Sequence, residues 1–216
     1  TKFQDKNIAE KRFPTREEMD RVSASHPVML YHNDTHPFAF NSAGIEIMKL
    51  DPAIDGIETD SCGKPTGFVT DPAFMEVADN LIELFTDEEL LEGYHSIDEY
   101  AVSGGITTVY TKDYYKILRL FRDHRDEFKT EIKPMLRTRN CSDSDNLGKL
   151  MNDEELRGMT CVCAFADGAF DGYTGSVVEP YEGYPDRFGM LFQSAEELYR
   201  YFEGPHRAGM QLSCHA

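Results

Sequence analysis

No stretch of the chain approaches the roughly 18 consecutive apolar residues that a membrane-spanning helix needs, and the polar start TKFQDKNIAEKRF carries no apolar targeting core. Cations are scarce as well. Against 39 Asp and Glu stand only 22 Lys and Arg, a formal charge of -17, and no Lys/Arg cluster interrupts the acidic surface. Such a chain repels phosphate backbones and anionic lipid, so neither nucleic acid nor a membrane is an expected partner. Cysteine is sparse and odd in number: five residues, at 62, 141, 161, 163 and 214, without a CxxC pair or a disulfide-framework spacing. That usage points to reduced thiols in a cytoplasmic setting. GxSxG, P-loop and GxGxxG strings are missing too, which disfavours serine hydrolase, NTPase and dinucleotide-binding readings.

What is present is a 216-residue sequence with 40% hydrophobic residues, enough to bury a sizeable core. From Thr86 onward, amphipathic stretches of helical length alternate with short β-branched or apolar runs, the pattern of βα units around a parallel sheet. Four strands are expected, at Ile106 to Thr111, Glu131 to Arg139 with Pro134 as an awkward guest, Thr160 to Ala166, and Met210 to His215. The helix before the first begins on Thr86 as N-cap, with Glu89 completing a capping box, and stops at Gly104-Gly105. A helix from Lys112 to Lys129 and another from Ala195 to Ala208, kinked or ended at Gly204-Pro205, separate the strands. Asp167 to Gly189 is a Gly/Pro-rich loop, longer than compact domains usually tolerate without a function.

Residues 1–85 read differently, as an insertion packed on the repeated units of 86–216. A helix from Arg16 to Ser25, a buried-type strand from Pro27 to Tyr31, a helix from Asn41 to Leu50 and a turn between two strands at Asp60 to Gly67 are expected.

Several residues could carry chemistry, each with a plainer reading beside it. His215 ends an expected buried strand, and the C-terminal strand ends of parallel α/β folds face their sites; an imidazole there is either a metal ligand or a histidine satisfied by a backbone carbonyl. Cys161 and Cys163 lie two apart and share one sheet face, where small buried thiols are ordinary core residues, although a thiolate also suits Zn²⁺. Asp167 either orients a ligand or makes the turn that Gly168 completes, and the turn is the simpler account. His32, Asp34 and His36 form an HxDxH string of no established metal spacing, equally readable as a binding loop or an Asx-turn.

Taken together, HNDTHPFAFNSAG at 32–44, GKPTGFV at 63–69, GGITTVYTKD at 104–113, FADGAFDGYTG with EPYEG at 165–183 and the final QLSCHA resemble, in kind, order and spacing, amidohydrolase family 3 of the amidohydrolase superfamily, the group of N-substituted formamide deformylase. The resemblance covers most of the chain. It implies an α/β fold in which the chain is a partial (β/α)₈ TIM barrel, about strands 2 to 5, with an N-terminal α+β insertion following the first barrel strand. It also implies a divalent metal, zinc by its donors, and an amide, formamide or cyclic amide as small-molecule substrate. Carried over by position, His215 matches the metal-ligand His of the fifth barrel strand. His36 matches the His of the insertion motif, lining the substrate pocket, and Asn41 and Ser42 match the Asn-Ser that follows; Asp167 belongs with these on the substrate side. Two departures stand out: the family's Trp position holds Ala39, and its carboxylated, metal-bridging Lys falls on Cys163.

The family's His-x-His pair and catalytic Asp have no counterpart within the 216 residues, so the resemblance implies an internal segment that does not turn over substrate alone. An incomplete barrel should self-associate through its two open sheet edges, giving a homo-oligomer. The Lys-to-Cys departure keeps a second reading open, that of a metal-free pseudoenzyme or binding module on the same scaffold.

Overall fold

The structure is a computed structural model and describes residues 3–33, 37–71, 73–138, 141, 145–170 and 173–216. The chain divides into two compact units, Thr1–Leu84 with Phe170–Gly172, and Phe85–Ala169 with Tyr173–Ala216.

The first unit is built on an antiparallel sheet of order β1-β2-β4-β3, formed by Met29–Tyr31 (β1), Phe38–Phe40 (β2), Ile57–Thr59 (β3) and Pro65–Val69 (β4). Among the described residues a short 3-10 turn at Asp5–Asn7 and the α-helices Arg16–Asp20 (α1), Ser42–Met48 (α2) and Phe74–Glu83 (α3) accompany it. The start of α1 follows from its sequence, because Thr15 and Glu18 close a capping box that satisfies two of the free amides of the first turn. It is five residues long rather than reaching Ser25. β1 is half exposed rather than buried, and the covered strand is β2, which was not expected: Phe38, Ala39 and Phe40 are all buried. Phe38 stacks between Tyr31 and Phe74, with ring centroids 5.0 Å from each. The turn at Asp60 is pinned by its own carboxylate, which accepts from the amides of Cys62 and Lys64 and is held below the usual aspartate range by those two bonds. Gly67 is a required glycine. Its φ is +93°, and a Cβ there would meet the Phe40 carbonyl oxygen at 2.3 Å.

The second unit carries a parallel sheet of order β5-β6-β7-β8, from Thr108–Asp113 (β5), Glu131–Thr138 (β6), Cys161–Phe165 (β7) and Leu212–His215 (β8). Its helices are Asp87–Ser103 (α4), Tyr115–Asp123 (α5), Asp145–Asn152 (α6), Glu154–Met159 (α7) and Ala195–Arg207 (α8). The result is a mixed α/β architecture with a parallel sheet. α4 starts on the Thr86/Glu89 capping box as expected. At its other end Gly105 takes φ +76°, its amide donates to Val102 O and that of Ile106 to Ala101 O, so the cap consumes Ile106 and β5 begins two residues later than the sequence suggested. β5 then runs on through Asp113, which places the start of the next helix at Tyr115 instead of Lys112. Pro134 is fully buried and opposes Thr111 without a register shift; the strand loses one donor and keeps its ladder. Pro205 neither ends nor visibly interrupts α8, and it too is buried. α6 and α7, between β6 and β7, went unread in the sequence.

Alternation along the strands sorts the second unit into two faces. Leu136, Val162 and Ala164 pack against Leu118, Leu150, Leu156, Tyr201 and Met210 from the helices and the segment before β8. Met135, Cys161 and Cys163 occupy the opposite face, with Phe165 against them. Register places Lys112 beside Met135, Arg137 beside Cys163, and Cys163 beside Ser213 on that same face.

Candidate functional site

All four strands of a parallel sheet end together, and in open α/β sheets ligands bind beyond those carboxyl ends. Here β7 runs out into Asp167-Gly168 while β8 ends on His215, with Phe165 and His215 directly opposite each other in the ladder. The Phe165 ring stacks on the imidazole at 5.0 Å with 28° between planes, and the Lys112 ammonium stands 5.3 Å from the centroid of the same Phe165 ring. The Ala166 amide donates to the His215 carbonyl at 2.8 Å, which ties the two strand ends beyond the last residue of β7.

Asp167 is buried, at 7% exposure, and is used on both sides. Its Oδ2 accepts from the Ser176 amide at 2.9 Å, and its backbone bridges to Leu191, so both limbs of the long loop are fastened to the end of β7. Gly168 permits the tight exit, since a Cβ there would meet Thr174 Oγ1 at 2.3 Å. Its other oxygen, Oδ1, lies 3.5 Å from His215 Nδ1. Both atoms are buried and neither has a hydrogen-bond partner. The remainder of the His215 ring stays accessible, with 35% of the side chain exposed.

Cys163 is fully buried on the inner face, its thiol 3.7 Å from the carbonyl of Ala164 as a weak donor. Burial raises the neighbouring Cys161 thiol above its ordinary pKa, so it is protonated at neutral pH. Asn41 lies in the first unit, wholly buried as the N-cap of α2. Its Oδ1 accepts from the amides of Val28 and Gly44, and its Nδ2 donates to the carbonyls of Ser23 and His26. All four hydrogen-bonding positions of that amide are engaged by backbone. Ser42 beside it binds Asp20 through both its amide and its hydroxyl. His36 and Asp34 lie outside the described residues.

Sequence reasoning had not singled out the other groups at this end of the sheet. Phe165 stacks on His215 and lies under the Lys112 ammonium, and Tyr94 on α4 donates to Asp113 Oδ1 at 2.6 Å; burial, then the Asp113 carboxylate, push the phenol far above its ordinary pKa. The Arg137 guanidinium lies 4.1 Å over the Tyr114 ring. Parity along β5 to β8 would have found Lys112 and Phe165, had the strand register been known. A cavity of about 930 Å³ opens at the other end of the strands, lined among others by Tyr110, Lys133, Thr160 and Gln211, and bordered by Cys161 but by neither Cys163, Asp167 nor His215.

The sequence profile of the amidohydrolase family matches residues 1–216. The chain belongs to the amidohydrolase family. Among curated relatives, the Arabidopsis thaliana protein LONG AFTER FAR-RED 3 is 25% identical over 223 residues, which cover 94% of this chain and 38% of the relative. Two crystal structures of uncharacterized metal-dependent hydrolases are similar over 100% of the chain. The one from Pyrococcus horikoshii OT3 has a TM-score of 0.74 at 20% identity and is covered over 43% of its length; the one from Pyrococcus furiosus has 0.65 at 23% identity and 45%. This amidohydrolase chain therefore spans less than half the length of these relatives. At those identities the two structures speak for the fold.

The motif resemblance implies a divalent cation, and the residues at this end of the sheet fit one in part. His215 offers an imidazole next to an orphaned carboxylate oxygen in a buried setting. Among the described residues no three His, Cys, Asp or Glu side chains converge, so they make one side of a shell rather than a whole one.

Proposed function

We propose that this amidohydrolase chain is part of a metal-dependent hydrolase that cleaves C–N bonds of amide, formamide or cyclic amide substrates. On this reading its parallel sheet is an arc, about strands 2 to 5, of a (β/α)₈ barrel, and residues 1–85 are an insertion after the first barrel strand. The observation that carries it is the placement of His215 at the carboxyl end of the last parallel strand, with its ring fixed by Phe165 and an unsatisfied carboxylate oxygen beside it. A bound divalent cation, zinc by the nature of the donors, would lower the pKa of a water and polarise the scissile carbonyl.

The chain's own part is to hold and enclose. His215 presents its imidazole from a rigid strand end. Cys163 stands where the family resemblance puts a bridging lysine, on the same face. Asp167 ties the long loop that follows it to the end of β7, through the Ser176 amide and the bridge to Leu191, beside the face that His215 presents. His36, Asn41 and Asp167 belong to the substrate side of the resemblance; for Asn41 the saturated amide makes that role one of holding the segment from Ser23 to Val28 against the start of α2 rather than touching substrate. With two donors among the described residues, the chain by itself is expected to turn over nothing. Its two edge strands, β5 and β8, favour self-association, and its charge and free thiols favour a cytoplasmic setting with a small-molecule substrate.

The test is metal analysis of the full-length protein carrying this segment, together with hydrolysis of a panel of N-substituted amides and formamides. A protein that holds about one or more equivalents of metal and loses hydrolysis on chelation supports the reading. One that purifies metal-free and cannot be reconstituted defeats it, and supports instead a binding module on the same scaffold, which Cys163 in the lysine position favours.

A further inference from the structure

We infer that Asp167 is itself a cation ligand, and that its Oδ1 with His215 Nδ1 forms one edge of a divalent-metal site. The inference rests on the metal-hydrolase reading above and changes one part of it, moving Asp167 from the substrate to the metal and taking from Cys163 the role of anionic donor.

Four observations carry it. First, the two atoms are buried, face each other, and have no hydrogen-bond partner, while the second oxygen of the same carboxylate is satisfied by the Ser176 amide. Leaving a buried polar group unpaired costs about 1–3 kcal/mol, and two such groups at one point mark a place where a ligand belongs. Second, their separation of 3.5 Å is longer than an N–H···O hydrogen bond. It is close to the distance between neighbouring donors on one ion: ligands about 2.0–2.1 Å from a tetrahedral Zn²⁺ stand roughly 3.4 Å apart.

Third, both donors are held before any ion arrives. Asp167 is clamped through Oδ2 and through its bridge to Leu191, and the imidazole by its stack on Phe165 and the Ala166–His215 backbone bond. Fourth, the charge is right. A metal-bridging carbamate brings an anionic oxygen, and a carboxylate supplies the same donor type, whereas the Cys163 thiol is fully enclosed and turned to the carbonyl of Ala164. The remaining positions of the shell fall to water, substrate and groups beyond this pair.

The experiment titrates the 216-residue chain with Zn²⁺ alone, following the ring nitrogens of its histidines by NMR and the affinity by calorimetry. Zinc is expected to move the His215 Nδ1 resonance into the metal-bound range while Nε2 stays protonated. Asp167→Asn, isosteric and still able to accept from Ser176, should weaken zinc at least tenfold, as should His215→Gln; Cys163→Ala should change it less than twofold. Circular dichroism and protection of the Ser176 amide show that the variants keep the fold. The inference is overturned if wild-type chain takes up no zinc at millimolar concentration, if Asp167→Asn binds like wild type, or if Nδ1 remains protonated in the zinc-saturated chain. The last outcome would make the pair a simple N–H···O contact. Zinc held by these two residues in a protein that hydrolyses no amide would sink the hydrolase reading alone; an active metal enzyme whose Asp167→Asn variant keeps its metal would sink this inference alone.

Discussion

Among the described residues one chain makes two sheets of four strands each, and they are stabilised in different ways. In the antiparallel sheet three of the strands are three residues long, and their persistence depends on aromatic packing around Phe38 and on close backbone approach at Gly67. The parallel sheet has longer strands and an unbroken register, and each step across it requires a helical connection whose apolar side covers Leu136, Val162 and Ala164. A short strand has few ladder bonds to lose and so relies on side chains. In the parallel sheet the ladder tolerates even an interior proline.

That contrast is open to direct tests. Phe38→Ala should cost about 3–5 kcal/mol and Leu136→Ala about 2–5 kcal/mol. Amide exchange should place the loss in β1, β2 and β4 for the first, and in β5 to β8 for the second. Equal spreading of both effects over all eight strands would abolish the distinction between the two units. Gly67→Ala combines a left-handed φ with a backbone clash and should cost roughly 2–4 kcal/mol in denaturant unfolding. A neutral result there would mean the approach to Phe40 is easily relaxed.

Asp98 sharpens the parallel side. It is buried on α4 and accepts from the Lys129 and Thr130 amides and the Thr130 hydroxyl, joining the helix to the start of β6. Burial alone would raise its pKa, yet the three hydrogen bonds outweigh it and the value is lowered. A lowered carboxylate pKa adds stability above the unfolded value, near pH 4, that disappears as pH falls through the folded one. Asp98→Asn should therefore cost about 2 kcal/mol at pH 7 and flatten the stability profile below about pH 4; an unchanged acid limb would show that other carboxylates dominate it. The smallest effect is expected at a helix start: Thr86→Ala removes the capping box of α4 at about 1 kcal/mol, read as a small shift in the unfolding midpoint.

These positions also mark how far the sequence could be read. Helix starts at Thr15 and Thr86 were legible because a cap is a contact between residues three apart. β2 was not, since a three-residue strand buried on both faces has no alternation to detect. The expected break at Gly204-Pro205 did not occur: Pro205 is wholly buried in the packed α8, and that packing outweighs the missing backbone donor. His215 could be placed at a strand end from its neighbours alone. Its relation to Asp167, 48 residues earlier, could not, because only the pairing of β7 with β8 brings the two together.

By itself, then, the order of residues settled what local chemistry settles: capped helices, apolar strands two apart in phase, a turn at Asp60, a strongly acidic composition, and a set of motifs that places the chain among amidohydrolases. Tertiary structure decided which of those strands lie side by side, that the amide of Asn41 is spent on backbone, and that one oxygen of Asp167 is left facing one nitrogen of His215. The physical reason is the range of the interactions. Caps and turns form within a few residues, whereas a buried carboxylate gains or loses its partner only when distant strands have come into register.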